Sequence, residues 1–231
     1  AKAEYRQRTV STMNNKRFLR AMGLLAGFAL WTLAVLTVDV RPIGPNGSQV
    51  GFAAMNGFFH GLTGVHMGLY DLTDWLGLAS LGICVGFGIL GLVQWMRRGS
   101  IRRVDRSLLI LGGFYVLVLA VFLLFELAAV NYRPVLIEGR LEASYPSSTT
   151  MLALCVMPTA AMQLRPRIRN ANLLRWTVWL IQALTAVLVV GRLVCGVHWL
   201  SDILGGALLS AGLVELYVWA VSTAEKSSRR G

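Results

Sequence analysis

The chain has 231 residues, 55% of them hydrophobic and only 14% charged, with mean hydropathy +0.60 and net charge +11. That balance excludes an ordinary soluble domain and describes an integral membrane protein. The positive charge is divided among four separate segments, so it reads as membrane topology and not as a nucleic-acid surface.

In chain order, the apolar pattern predicts an all-α fold with six transmembrane helices, at about 19–38, 77–96, 108–130, 150–164, 174–194 and 200–223. The fourth is short for a span of roughly 20 residues. Basic residues crowd the N-terminal tail (Lys2 to Arg20), the second connection (Arg97 to Arg106), the fourth connection (Arg165 to Arg175) and the C-terminal tail (Lys226 to Arg230). Of 22 basic residues only Arg41, Arg133, Arg140 and Arg192 fall at or near the other face. The positive-inside rule then puts both termini in the cytoplasm of a multi-pass cell-membrane protein. The whole chain, 1–231, reads as one transmembrane domain, with cytoplasmic tails at 1–18 and 224–231. The basic N-terminal tail runs directly into a span long enough to be retained, so no cleavable signal is expected.

Between the first two spans, 49–68 is apolar but carries Asn56, His60, His66 and five glycines. Counting it as a span would turn the Arg97–Arg106 cluster outward, so it is expected to be a re-entrant or interfacial segment on the outer side. Gly82 and Gly86 in the second span suggest a close helix approach, and Pro158 suggests a kink in the fourth. Cys84, Cys155 and Cys195 lie within spans at no metal-binding spacing, and neither a metal nor a cofactor is expected.

The chemistry concentrates in three short segments on the outer side. The first is Asn131-Tyr132-Arg133-Pro134, and the second is Tyr145-Pro146-Ser147-Ser148-Thr149-Thr150. The third runs from Gly191 to Asp202 and sets Arg192, His198 and Asp202 into an apolar stretch. Ionisable groups at membrane depth are costly and need a reason. His198 and Asp202 are four apart, so on a helix they would share a face and hydrogen-bond, giving an oriented nucleophile. Pro146 followed by hydroxyl residues reads as a helix start, where free N–H groups and the dipole favour an anion. Two arginines complete a phosphate pocket built around a histidine.

This arrangement resembles the type 2 phosphatidic acid phosphatase superfamily of membrane lipid phosphatases. The family pattern is a lysine, six residues and Arg-Pro; then Pro-Ser-Gly-His; then Ser-Arg, five residues, His, three residues, Asp. Here Arg133-Pro134, Pro146-Ser147, and Arg192, His198 and Asp202 match it, with Gly191 in place of the serine. The resemblance implies that His198 attacks phosphorus and Asp202 orients it, while Arg133, Arg192, Ser147 and the backbone at Ser148 hold the phosphoryl oxygens.

The chain departs from the family at two positions. Glu126 stands where the lysine belongs, and Thr149 stands where the family has its general-acid histidine. General-acid help is worth about 10²–10⁴-fold for a poor leaving group. A phosphate leaving from a diphosphate has a second pKa of about 6 and needs little of it. The expected substrate is therefore a lipid phosphate or diphosphate, with polyprenyl diphosphate favoured. Glu126, if kept neutral by burial, is one substitute proton donor. His60 or His66 swinging in from the outer segment is another, and Tyr132 is a further accessory candidate. The alternatives are a catalytically impaired relative that binds or translocates a lipid phosphate, and a lipid phosphotransferase. A small-solute channel fits the hydropathy but not the clustered phosphate chemistry. The expected partners are the lipid substrate and the bilayer.

Overall fold

A computed structural model describes the backbone of residues 2–228 and the side chains of residues 13–226. Seven α-helices and no strands are found among the described residues: α1 Lys2–Thr37, α2 Ala53–Thr63, α3 Met67–Arg98, α4 Arg106–Ala128, α5 Ser148–Leu164, α6 Ala171–Val194 and α7 Leu200–Ser228. Five of them, α1 (from Met13), α3, α4, α6 and α7, are long and apolar enough to cross a membrane. The protein is thus a multi-pass helical membrane protein. The basic N-terminal segment expected as a tail is itself helical, continuous with the first span.

Local signals explain several helix ends. Asn170 caps α6 by accepting from the amides of Asn172 and Leu173. Gly99 ends α3 in the left-handed region at φ 69°, with its N–H on the Trp95 carbonyl. α3 begins at Met67, ahead of the expected 77. The helix runs on past the apolar window and carries Tyr70, Asp71 and Asp74 on its first turns.

α5 is the central element. Its 17 residues include buried positions all round the helix, among them Thr150, Met151, Ala153, Cys155, Val156 and Met157. A helix covered on every side by protein need not match the lipid thickness, which accounts for the shortness seen in the sequence. It runs through Pro158 as one helix. Gly82 and Gly86 do not mark a close approach: a Cβ on either would meet nothing within 4 Å. The tight contact on α3 lies elsewhere, where Thr73 presses on Gly191 of α6.

The first and last helices pair along their length. Leu25 of α1 fills the space a side chain on Gly212 would need. Phe18 packs on Trp219 with ring centroids 5.0 Å apart. Trp31 donates its indole N–H to the Ser201 carbonyl at 3.1 Å, and Thr32 shares a 2.7 Å hydrogen bond with the Tyr145 hydroxyl.

The basic segments gather at one end of the bundle. Asp105 binds Arg98 at 2.9 Å and Arg167 at 3.5 Å, joining the end of α3, the start of α4 and the end of α5. At the opposite end, α2 lies between α1 and α3, in the segment expected to be re-entrant or interfacial. Its buried residues are Ala53 and Asn56. Asn56 ties it down, giving hydrogen bonds to the Gly51 carbonyl and Ser201 Oγ and accepting from the Ser201 amide at 3.1 Å.

Candidate active site

The three segments singled out in the sequence converge at the end away from the basic clusters. His198 lies in the turn between α6 and α7 and is 4% exposed. The turn depends on Gly196, at φ +70°, whose missing Cβ leaves room for the Gly64 carbonyl. Asp202 is the third residue of α7. Ser147 caps α5, accepting from the Thr150 amide, and its own N–H donates to the Asp202 carbonyl at 3.1 Å. The start of α5 is thereby fixed against the start of α7.

Arg133 Nη1 donates to His198 Nε2 at 3.3 Å. A guanidinium has no acceptor, so Nε2 must present its lone pair and the ring proton must sit on Nδ1. The histidine is therefore neutral, with a free electron pair beside an arginine. Burial is the main cause that pushes its pKa down, to about 4; Asp202 works against it, and the charges of Arg133 and Arg192 add to it.

The His198–Asp202 pair differs from the expectation of a shared helix face. His198 precedes the helix, and its Nδ1 lies 3.8 Å from Asp202 Oδ2, an ion-pair distance without a hydrogen bond. Asp202 Oδ2 instead accepts from the Trp199 amide at 2.9 Å, reaching back to cap α7. Its other oxygen accepts from Asn131 at 3.3 Å. At 3.8 Å the carboxylate still lies close enough to stabilise a positive imidazole.

Arg192, 2% exposed, comes from the last turn of α6. Its Nη2 donates to Asp74 Oδ1 at 2.5 Å and to Thr149 Oγ1 at 2.7 Å. Its Nε and Nη1 are buried without any partner. Arg133 Nε lies 3.1 Å from Glu142 Oε2 but lacks hydrogen-bond geometry towards it, so that N–H is also unspent. Both guanidinium groups lie over the ring of Tyr70, at 4.8 Å for Arg192 and 5.8 Å for Arg133. The pocket thus holds two cations with idle N–H groups, a helix start with free amides and a neutral histidine. Buried donors left unpaired are costly, and a tetrahedral anion would satisfy them.

The remaining candidates are distributed unevenly. Glu126 and Ser148 line a small cavity with His198, bounded also by Phe122, Phe125, Tyr145 and Met151. Glu126 stands in the last turn of α4, at the rim of that cavity and not enclosed by protein. Tyr132 enters through its backbone, accepting the Trp199 indole N–H at 2.7 Å. The His60 ring packs edge-on against Trp199 at 5.5 Å, one residue from His198, and burial lowers its pKa. His66 is exposed, with its ring on the Thr63 carbonyl at 2.9 Å. Neither histidine reaches the arginines. Sequence reasoning missed Tyr70, Asp74 and Glu142; the acidic Asp71 and Asp74 beside an apolar run were the available signal.

The fold is similar to the crystal structure of the first transmembrane PAP2 type phosphatidylglycerolphosphate phosphatase from Bacillus subtilis. The TM-score is 0.50 and the identity 19%, over 86% of this chain and 94% of that one. No curated protein matches the chain in sequence. Residues 119–226 match the model of the PAP2 superfamily, and that stretch holds all three motif segments.

Proposed function

We propose that this protein is a membrane lipid phosphatase that cleaves a lipid phosphate or diphosphate, with a polyprenyl diphosphate favoured. His198 Nε2 attacks phosphorus as the bond to the leaving oxygen breaks, giving a phosphohistidine. Water then cleaves the P–N bond and frees phosphate. Arg133, Arg192, Ser147 and the α5 amides hold the oxygens on which charge builds. Asp202 stabilises the positive ring formed during attack. The site lies at the outer face, with α5 as a sixth span and both termini cytoplasmic; the basic residues collected at the other end support that orientation.

The observation that carries this reading is the set of idle N–H groups on Arg192, which is almost fully buried beside a neutral histidine. The preference for a diphosphate rests on Thr149, a hydroxyl already engaged by Arg192 and unsuited to protonate an alkoxide. The same observation gives a second reading, a relative that binds or moves a lipid phosphate without cleaving it. The test is phosphate release by the detergent-solubilised protein from polyprenyl diphosphate, phosphatidic acid and phosphatidylglycerol phosphate, with His198→Ala as control. Turnover of the diphosphate, lost in the variant, is expected. Binding of all three with no release favours the second reading, and no binding at all rejects both.

A further inference from the structure

We infer that the first turns of α3 are a working part of this site, with Asp74 and Tyr70 as positioning residues that aim Arg192 at the phosphoryl group. The inference rests on the phosphatase reading above, but its residues lie outside the segment that matches the superfamily, 119–226.

Tyr70, Thr73 and Asp74 stand at i, i+3 and i+4, one face of a helix. All three meet the Gly191–Arg192 corner of α6. Thr73 Cγ2 occupies the place where a Cβ on residue 191 would fall. Glycine there, where the family pattern has serine, is what allows α3 to close on α6. That closure brings Asp74 to Arg192 and lays the Tyr70 ring beneath it.

The division of donors on Arg192 gives the role. A guanidinium is a rigid fork of N–H groups. Asp74 and Thr149 together occupy the Nη2 hydrogens. Nε and Nη1 are left buried, unpaired and fixed in direction. An ion pair that served only to neutralise a buried charge would satisfy the donors it buries. This one holds a single nitrogen and leaves the others unused. The Asp74 side chain is 61% exposed, so it is not a buried charge that needs Arg192 as its own partner. Thr149 acquires a purpose on this account: it is the second brace of the arginine and not a failed acid.

The test uses the full chain in detergent, with orthovanadate as a phosphoryl mimic alongside substrate kinetics. Asp74→Asn, which keeps an oxygen acceptor but removes the charge that strengthens the bond to Arg192 Nη2, is expected to raise the vanadate inhibition constant and KM together by up to about tenfold, with a smaller change in kcat. Asp74→Glu should recover part of the loss, which a merely structural defect would not. Tyr70→Leu should weaken vanadate several-fold while Tyr70→Phe, which keeps the ring, should not; this pair decides the matter if Asp74→Asn lowers the melting temperature. An unchanged or tighter vanadate constant in Asp74→Asn overturns the inference, because the carboxylate would then be idle or a competitor for the anion. If the unmodified protein neither turns over a lipid phosphate nor responds to vanadate, the phosphatase reading itself fails, and this inference with it.

Discussion

The two ends of the bundle both collect arginines, yet they treat them in opposite ways. At the basic end, Arg98 gives Nη1 to the Arg103 carbonyl and Asp105, and Arg167 gives Nη1 to the Gln163 carbonyl and side chain. Asp105 also accepts from Gln94, and that bond, followed by Arg98, holds its carboxyl below the usual range. These groups are partly in water and mutually satisfied. At the site end, Arg133 and Arg192 are buried and keep N–H groups without partners. Charge number does not separate a structural cluster from a candidate binding site here. The separation comes from whether the donors already have acceptors.

The strongest way to break this contrast is His198→Ala. On the proposed mechanism this loss should lower phosphate release by at least about 10³-fold without unfolding the protein, as read by turnover and melting temperature. Arg192→Ala should cost about 10²–10³-fold in kcat, the value of a donor aimed at developing charge. Arg98→Ala at the other end should leave turnover within about twofold, since an exposed paired arginine is worth little.

The pH profile sharpens the same point. On the proposed mechanism, protonation removes the lone pair that His198 donates to phosphorus. With its pKa held at about 4, the His198 ring should stay unprotonated as the pH falls past 6.5 and take up its proton only near 4, read by NMR titration of the imidazole, since the substrate phosphate, with a second pKa of about 6, titrates in the same window of kcat/KM. Stability follows the same sign. The unfolded histidine takes up its proton near 6.5 and the folded one only near 4, so this contribution is intact above 6.5 and is lost as the pH falls through that window. An imidazole midpoint near 6.5 would mean that the ring is not held neutral by its surroundings.

Smaller effects are expected from two further variants. Thr149→His should raise turnover of a phosphomonoester relative to a diphosphate by up to about tenfold, by supplying a proton to the alkoxide. An unchanged ratio would show that leaving-group protonation is not what Thr149 limits. Asp105→Asn should cost less than about 1 kcal/mol, because its partners are solvent-screened, and should leave turnover unchanged.

Much of this site was legible because its residues are unusual where they stand. Arg192, His198 and Asp202 interrupt an apolar run, and Ser147 follows a proline at a helix start. The all-helical fold was legible for the same reason, since long apolar runs admit few alternatives. Contacts across elements were not legible. Asp74 reads as one more charge near a span end, because nothing in the order of residues says that α3 continues to Met67 or faces α6. The His198–Asp202 spacing suggests a helical pair, but the helix starts between them and Asp202 turns back to the Trp199 amide. Gly82 and Gly86 looked like contact glycines by spacing, whereas Gly191 and Gly196, which do face a close neighbour, carry no such pattern.

The clasp between α1 and α7 has a consequence for biogenesis. Trp31 and Ser201 are 170 residues apart in the chain, and Asn56 and Ser201 are 145 apart. Because α1 precedes α7 in the chain, the surface it shares with α7 stays open until α7 has entered the bilayer. The turn at His198 is completed only at that closing step. A premature stop within α7 would therefore leave the histidine translated but its pocket unassembled, so partly inserted chains would carry the motif without its chemistry.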